Sequence, residues 1–225
     1  SLGLRCLETI YKAAPSTLSG VVTIDDSSDA RTVRDQFRSF SEDRNIPFEV
    51  GKNRPDSEKL IRGFKPDICL AVGWYWIITQ ETLKQCPGKF LGLHNSLLPK
   101  YRGAAPLVWA MLNGEKEVGF SLFSITEGFD DGPVFGQRSV AVQGDDYIGD
   151  VLRKLEDEAE HFFTTLWPSI LEGGVEPAPQ DHSQATFSSW RIPEDGQIDW
   201  SRPAREVYDF IRAQSAPYPG AYTSI

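Results

Sequence analysis

Lys89-Phe90-Leu91-Gly92-Leu93-His94-Asn95-Ser96-Leu97-Leu98-Pro99-Lys100-Tyr101-Arg102-Gly103 passes within a few residues from an apolar run to a proline-stiffened polar loop. The run Lys89 to Leu93 reads as a buried strand. His94, one of only three histidines, therefore stands at a strand's carboxyl end. Ligands of open α/β sheets bind at that edge, and an imidazole there is placed for proton transfer near neutral pH. Position alone equally admits a loop histidine with no special task. A second stretch, Gly128-Phe129-Asp130-Asp131-Gly132-Pro133-Val134, lies between the strand-like runs Gly119 to Ile125 and Val134 to Val142. Asp and Gly together make a plain turn. At a strand end they also bring a carboxylate to an imidazole and fix its tautomer.

Working outward, Gly20 to Ile24, Ile46 to Val50 and Asp67 to Val72 read as strands. Helices are expected at Ala30 to Arg44, at Asp56 to Phe64 behind an Asp56–Ser57 start, at Thr79 to Gln85 behind a Thr79 cap, and at Pro106 to Asn113. A long helix from Tyr147 to Leu171 carries apolar residues at Ile148, Val151, Leu152, Leu155, Ala159, Phe162, Phe163 and Leu166, with Pro168 near its end. The alternation predicts an α/β fold, a mostly parallel, doubly wound (Rossmann-like) sheet with helices on both faces. Such a sheet normally opens with a strand. This chain opens with a helix, Leu2 to Ala14, so a first strand is expected to be missing from the sequence. Gly173 to Gln180 is a Gly/Pro-rich connector. Residues 1–172 are expected to form the main domain, 173–190 a linker, and 191–225 the start of a small C-terminal domain that ends abruptly.

The chain has 225 residues, 40% hydrophobic and 24% charged, with a net charge of -9. No apolar run nears the ~18 residues that cross a bilayer, so no membrane partner is expected. Cys6, Cys69 and Cys86 form no close pair, which suits a reducing, cytoplasmic location. No zinc-ligand spacing occurs, and no metal is expected. Arg31, Arg34, Arg38 and Arg44 are interleaved with Asp35, Glu42 and Asp43 and read as a solvated helix face. The acidic balance argues against tRNA or DNA as a partner. A homodimer is left open.

The combination His94-x-Ser96-Leu97-Leu98-Pro99-Lys100-x-Arg102-Gly103-Ala104-Ala105-Pro106, followed by Asp130, resembles the formyl-transfer domain. That family spans methionyl-tRNA formyltransferase, nucleotide-sugar N-formyltransferases, glycinamide ribonucleotide formyltransferase and the hydrolase domain of formyltetrahydrofolate dehydrogenase. The resemblance runs from about Leu2 to Leu171. Pro193-x-Asp195-Gly196-x-Ile198-x-Trp200 and Pro217-Tyr218-Pro219-Gly220-Ala221 are similar to the start of the C-terminal domain of the tRNA and amino-sugar enzymes. The resemblance implies transfer of a formyl group from N10-formyltetrahydrofolate to a primary amine, with His94 and Asp130 catalytic. The family's usual asparagine two residues before the histidine is Gly92 here, so Asn95 is the remaining amide candidate, although adjacent residues of an extended chain face opposite ways. Folate-binding loops are implied at Trp76, Ile77 and Ile78, at Ser96, Leu97, Leu98 and Pro99, and at Thr126, Glu127, Gly128 and Phe129. Trp74 and Trp76 also suit ordinary packing. Some amino-sugar enzymes place an arginine where this chain has Ala104.

The expected acceptor is a nucleotide-linked amino sugar, because Asp25-Asp26-Ser27-Ser28-Asp29-Ala30 is short and acidic where the tRNA enzymes have a longer basic loop. Methionyl-tRNA is the alternative acceptor. Gly92 keeps two further readings open, a formyltetrahydrofolate hydrolase and a folate-binding module without transferase activity.

Overall fold

The computed structural model describes residues 1–29, 31–85 and 89–224. These residues group into two units. One comprises Ser1–Leu93, Ser124–Glu127 and Ala159–Glu176, the other His94–Phe123, Gly128–Glu158 and Pro177–Ile225. This grouping does not follow the division into 1–172, 173–190 and 191–225. Much of the stretch read as a linker is hydrogen-bonded to the loop that begins at His94, as set out below.

In the first unit, α1 (Leu2–Ala13) buries Cys6, Thr9 and Ile10 and stops before Pro15, which opens a short 3-10 turn. The β-branched run Val21-Val22-Thr23-Ile24 forms β1 (Val21–Ile24). The next helix, α2 (Arg34–Glu42), starts later than its pattern suggested. Asp25 accepts from the Ser27 N–H, Asp29 from the Arg31 N–H and Asp26 from the Thr32 hydroxyl. These aspartate turns compete with the helix for the backbone. Ala30, the expected first helical residue, lies outside the described residues, as does Cys86. β2 (Phe48–Gly51) pairs in parallel with β1, Val21 opposite Phe48 and Ile24 opposite Gly51.

α3 (Arg54–Phe64) begins two residues before the expected start, because Asn53 is the cap: its side-chain oxygen accepts from the Asp56 N–H at 3.0 Å. β3 (Ile68–Val72), α4 (Gln80–Gln85) and β4 (Lys89–His94) form a strand–helix–strand unit, with Ile68 opposite Lys89 and Val72 opposite Leu93 in parallel register. Thr79 caps α4 as expected, its hydroxyl 3.3 Å from the Thr82 N–H. Ile61, Ile78 and Phe90 centre an apolar cluster with Val22, Cys69, Trp74 and Ile125 around it; Val21, Phe40 and Ile46 centre another. Cys6 and Cys69 form no disulfide.

In the second unit, β5 (Arg102–Gly103) and α5 (Pro106–Leu112) precede β6 (Glu117–Ser124) and β7 (Val134–Ala141). β6 and β7 are antiparallel, with Glu117 opposite Ala141 and a register shift at Leu122/Phe123. Their connection carries Asp130. The helix α6 (Ile148–Leu171), whose residues from Ala159 on belong to the first unit, buries Ile148, Val151, Leu155, Ala159, Phe162 and Phe163 of the expected apolar stripe and leaves Leu152 and Leu166 half-buried; Pro168 lies within its last turn without ending it. β8 (Phe187–Ser188) pairs in parallel with β5, and α7 (Ala204–Gln214) closes the unit. The parallel pairs with intervening helices make the fold α/β and Rossmann-like. Among the described residues, no helix is long and apolar enough to cross a membrane.

Asp146 stands just before α6, where its carboxylate accepts from the Gln143 N–H at 2.6 Å and from Lys154 Nζ at 2.5 Å. Burial raises its pKa, but the bonds from Lys154 and Gln143 outweigh this and hold it below its ordinary 3.8. A carboxyl depressed in the folded state stabilises above its unfolded pKa, and the contribution is lost as pH falls through the folded value. Asp146 is therefore expected to contribute at pH 7 and to lose that contribution below about pH 4. Asp146→Asn should flatten this part of the acid dependence by on the order of 1 kcal/mol, because solvent reaches Lys154. Thermal melts of both proteins at pH 7 and pH 3 measure it.

Candidate active site

His94 ends β4, and the seven residues that follow fold back on it. Ser96 donates its hydroxyl to the Lys100 carbonyl at 2.6 Å, and the Ser96 N–H reaches the His94 carbonyl at 2.9 Å. Ser121 of β6 is fully buried and pins the loop from below: its hydroxyl donates to the Ser96 carbonyl at 2.6 Å and accepts from the Leu98 N–H at 3.0 Å. Gln137 of β7 adds a bond to the Leu98 carbonyl at 2.8 Å. These bonds to β6 and β7 tie the Ser96–Leu98 backbone to the strands beneath it.

The fold-back turns at Tyr101, whose φ of 56° lies in the left-handed region. Its carbonyl oxygen comes within 2.8 Å of His94 Nε2. A carbonyl only accepts, so Nε2 carries the proton and donates it there. The other ring nitrogen, Nδ1, faces Asp130 Oδ2 at 3.5 Å. In the neutral imidazole Nδ1 then carries no proton and turns toward the carboxylate, while Nε2 is committed to the backbone. Phe123 packs edge-on to the imidazole, ring centroids 6.3 Å apart, and leaves the His94 side chain 10% exposed.

Asp130 also has left-handed backbone, φ 48°, on the β6–β7 connection. Its Oδ2 accepts from the Gly103 N–H at 2.8 Å. The 3.5 Å approach to His94 is longer than a good hydrogen bond. A third segment was not expected at the site. Thr186 Oγ1 accepts from the Tyr101 N–H at 2.8 Å, and the Ala104 N–H donates to the Ser188 carbonyl at 3.0 Å. Nothing in the composition around Thr186 marks it as part of a site.

The remaining candidates divide between the units. In the second, Ser96 and Leu98 are buried, Leu97 and Pro99 half-buried, and Phe129 is 62% exposed beside Gly128. The backbone of Leu97, Leu98 and Pro99 is largely taken up by bonds within the protein, to Lys100, Ser121, Gln137 and Thr186, so their apolar side chains and that of Phe129 are what this unit offers a flat ring such as a pterin. Asn95 lines a recess of about 110 Å³ with Lys100, Tyr101, Glu115 and Glu117, which His94 and Asp130 do not line. Its side-chain oxygen is shielded from solvent and has no hydrogen-bond partner. In the first unit, Trp76 packs edge-on to Trp74 with centroids 5.4 Å apart, and Ile77 is exposed. Ile78 is 3% exposed within the Ile61–Phe90 cluster, so its backbone is what it offers a ligand. Thr126 is half-buried, and the Glu127 carboxylate accepts from the side-chain amide of Gln80.

The family model for formyl transferases matches residues 20–166, and that for the formyl transferase C-terminal domain matches residues 192–225. Among solved structures, a methionyl-tRNA formyltransferase from Clostridium thermocellum is 22% identical with a TM-score of 0.65, over 91% of this chain and 86% of that one. HypX from Aquifex aeolicus in complex with tetrahydrofolic acid is 20% identical with a TM-score of 0.70, over 91% of this chain; the chain spans only 35% of that protein. WlaRD, a sugar 3N-formyl transferase solved in the presence of dTDP and 5-N-formyl-THF, is 19% identical with a TM-score of 0.72, over 95% of this chain and 75% of that one. At these identities the likeness carries the fold.

Proposed function

Because the chain belongs to the formyl transferase family and moves formyl groups from formyltetrahydrofolate, we propose that its acceptor is the amino group of a nucleotide-linked amino sugar, with His94 and Asp130 as the catalytic pair. The observation that carries the catalytic assignment is the Nδ1–Oδ2 edge at 3.5 Å, with Nε2 held by the Tyr101 carbonyl. A neutral amine attacks the formyl carbon, a new C–N bond forms, and the carbonyl electron pair moves to oxygen. A cationic His94 stabilises that oxygen through its Nδ1–H. Asp130 takes the proton that the attacking nitrogen must lose. The C–N10 bond then breaks, the electron pair returns to rebuild the carbonyl, and the proton passes to N10. The pair ends in the protonation state in which it began.

Two features support the sugar acceptor. The connection between β1 and α2 is short, and Asp25, Asp26 and Asp29 sit on it. Arg34 and Arg31 pair with Asp25 and Asp29, at 2.5 and 2.6 Å, so those guanidiniums are committed to neutralising the loop rather than to binding phosphates. The likeness to a sugar 3N-formyl transferase solved in the presence of dTDP adds a neighbour of the same class. A second reading, methionyl-tRNA as acceptor, is favoured by the neighbour of that activity, which matches across most of its length.

The test is incubation with N10-formyltetrahydrofolate and a panel of dTDP- and UDP-linked amino sugars beside methionyl-tRNA. Formylated amino sugar is the expected product. Formylated methionyl-tRNA, with affinity falling steeply as salt rises, would replace this reading by the second. Formate alone would mean a hydrolase, and no turnover would mean a binding module; either outcome overturns the proposal.

A further inference from the structure

We infer that Gln180, in the stretch between the two family-matched regions, is a positioning residue that holds Asp130 in register with His94. This inference rests on the catalytic reading above. The Gln180 side chain is 8% exposed and uses all of its hydrogen-bonding groups. Its Nε2 donates to the Asp130 carbonyl at 2.8 Å and to the Gly132 carbonyl at 2.7 Å. Its Oε1 accepts from Arg102 Nε at 3.1 Å and Nη2 at 2.7 Å. Arg102 is itself 4% exposed, and its Nη2 also meets His182 Nδ1 at 3.2 Å.

The two carbonyls gripped by one amide lie on either side of Asp131. Fixing both fixes the peptide planes from Asp130 to Gly132. That sets the direction of the Asp130 Cα–Cβ bond at its left-handed φ of 48°. Left-handed backbone is unfavourable for a non-glycine residue, so something must hold it there. Through Oε1, Gln180 also fixes Arg102, whose neighbour Gly103 supplies the N–H that Asp130 Oδ2 accepts. One side chain therefore anchors both the backbone that carries the carboxylate and the strand that orients its oxygen. The surrounding chain prevents Gln180 from drifting: Ala178 and Val134 exchange two backbone bonds, both of 2.8 Å, and Thr186 receives the Arg102 N–H at 2.9 Å. Displacements of about 1 Å at a reacting pair cost up to 10²-fold in rate, and Gln180 is built to prevent one.

Gln180→Glu separates this role from a merely structural one. It keeps an acceptor for Arg102 and removes the two N–H donors to the carbonyls of Asp130 and Gly132. With N10-formyltetrahydrofolate and the panel amine that gives product, Gln180→Glu and Gln180→Ala are expected to lower kcat about tenfold or more. KM for the formyl donor should stay within about twofold, because the donors and acceptor of this amide are spent on protein partners. In an Asp130→Asn background the cost of Gln180→Ala should shrink below about twofold, since the two changes act through one group. Native kcat in Gln180→Glu overturns the inference. So does an undiminished cost in the Asp130→Asn background, or activity lost only in step with folded protein. Native activity in His94→Ala would instead defeat the catalytic reading itself.

Discussion

His94→Ala and Asp130→Ala are each expected to slow formyl transfer by on the order of 10²–10⁴-fold, the range for loss of a positioned acid–base group. In the proposed reaction His94→Ala removes the Nδ1–H that stabilises the formyl oxygen. Asp130→Ala removes the proposed proton acceptor and also strands the Gly103 N–H, which loses its 2.8 Å partner. Asp130→Asn is the sharper variant. Its amide oxygen still accepts from Gly103, so the strand stays seated, but an amide takes no proton. If the carboxylate acts only by holding Gly103, Asn retains most of the rate. If it takes the amine's proton, Asn falls with Ala. Steady-state rates beside circular dichroism and thermal melts decide between these, and near-native turnover by His94→Ala or Asp130→Ala ends the assignment.

Gly103→Ala is expected to destabilise the chain by about 3 kcal/mol, through backbone strain and overpacking together. The φ of Gly103 is +106°, outside what an L side chain adopts comfortably, and a Cβ there would lie 2.4 Å from the Ser188 carbonyl oxygen. That oxygen is backbone and accepts from the Ala104 N–H, so it cannot swing aside without parting β5 from β8. For a chain of this size the loss corresponds to a fall of roughly 6–12 °C in melting midpoint. Gly73 provides the control. Its φ is +65°, but nothing lies within 4 Å of a Cβ placed there. Gly73→Ala should cost only about 1 kcal/mol, the price of left-handed backbone alone. Because the Gly103 N–H orients Asp130, the Gly103 variant should also lose kcat at temperatures where it remains folded. Equal melting points for the two variants would refute the steric account.

The parts of this site that a single stretch of chain specifies were legible beforehand. His94 at the end of an apolar run, and the loop after it, follow from local patterning, because a buried strand is a continuous apolar segment. The Thr79 cap and the α6 stripe are local in the same sense. The meeting of His94 with the distant Asp130 was expected from the family resemblance, but most of what else depends on distant residues was not legible. That Nε2 rather than Nδ1 is committed follows from the Tyr101 carbonyl, a backbone atom whose direction is set by one left-handed residue. β5 and β8 have two residues each, too few to show a period. The start of α2 was placed too early because Asp25, Asp26 and Asp29 prefer to bond to nearby groups. Gln180 sits in a Gly/Pro-rich run whose composition says only that the chain turns there.

The bonds from Thr186 to Tyr101 and from Gln180 to Asp130 change how this polypeptide can be cut. A protease nick or gene truncation at the apparent seam near residue 175 would normally be chosen to free an autonomous catalytic fragment. Here it would strip away the amide that grips the Asp130 turn and the short strand paired to Arg102, leaving a histidine without its aligned carboxylate. Shorter fragments are expected to fold around much of their own core yet fall silent as catalysts.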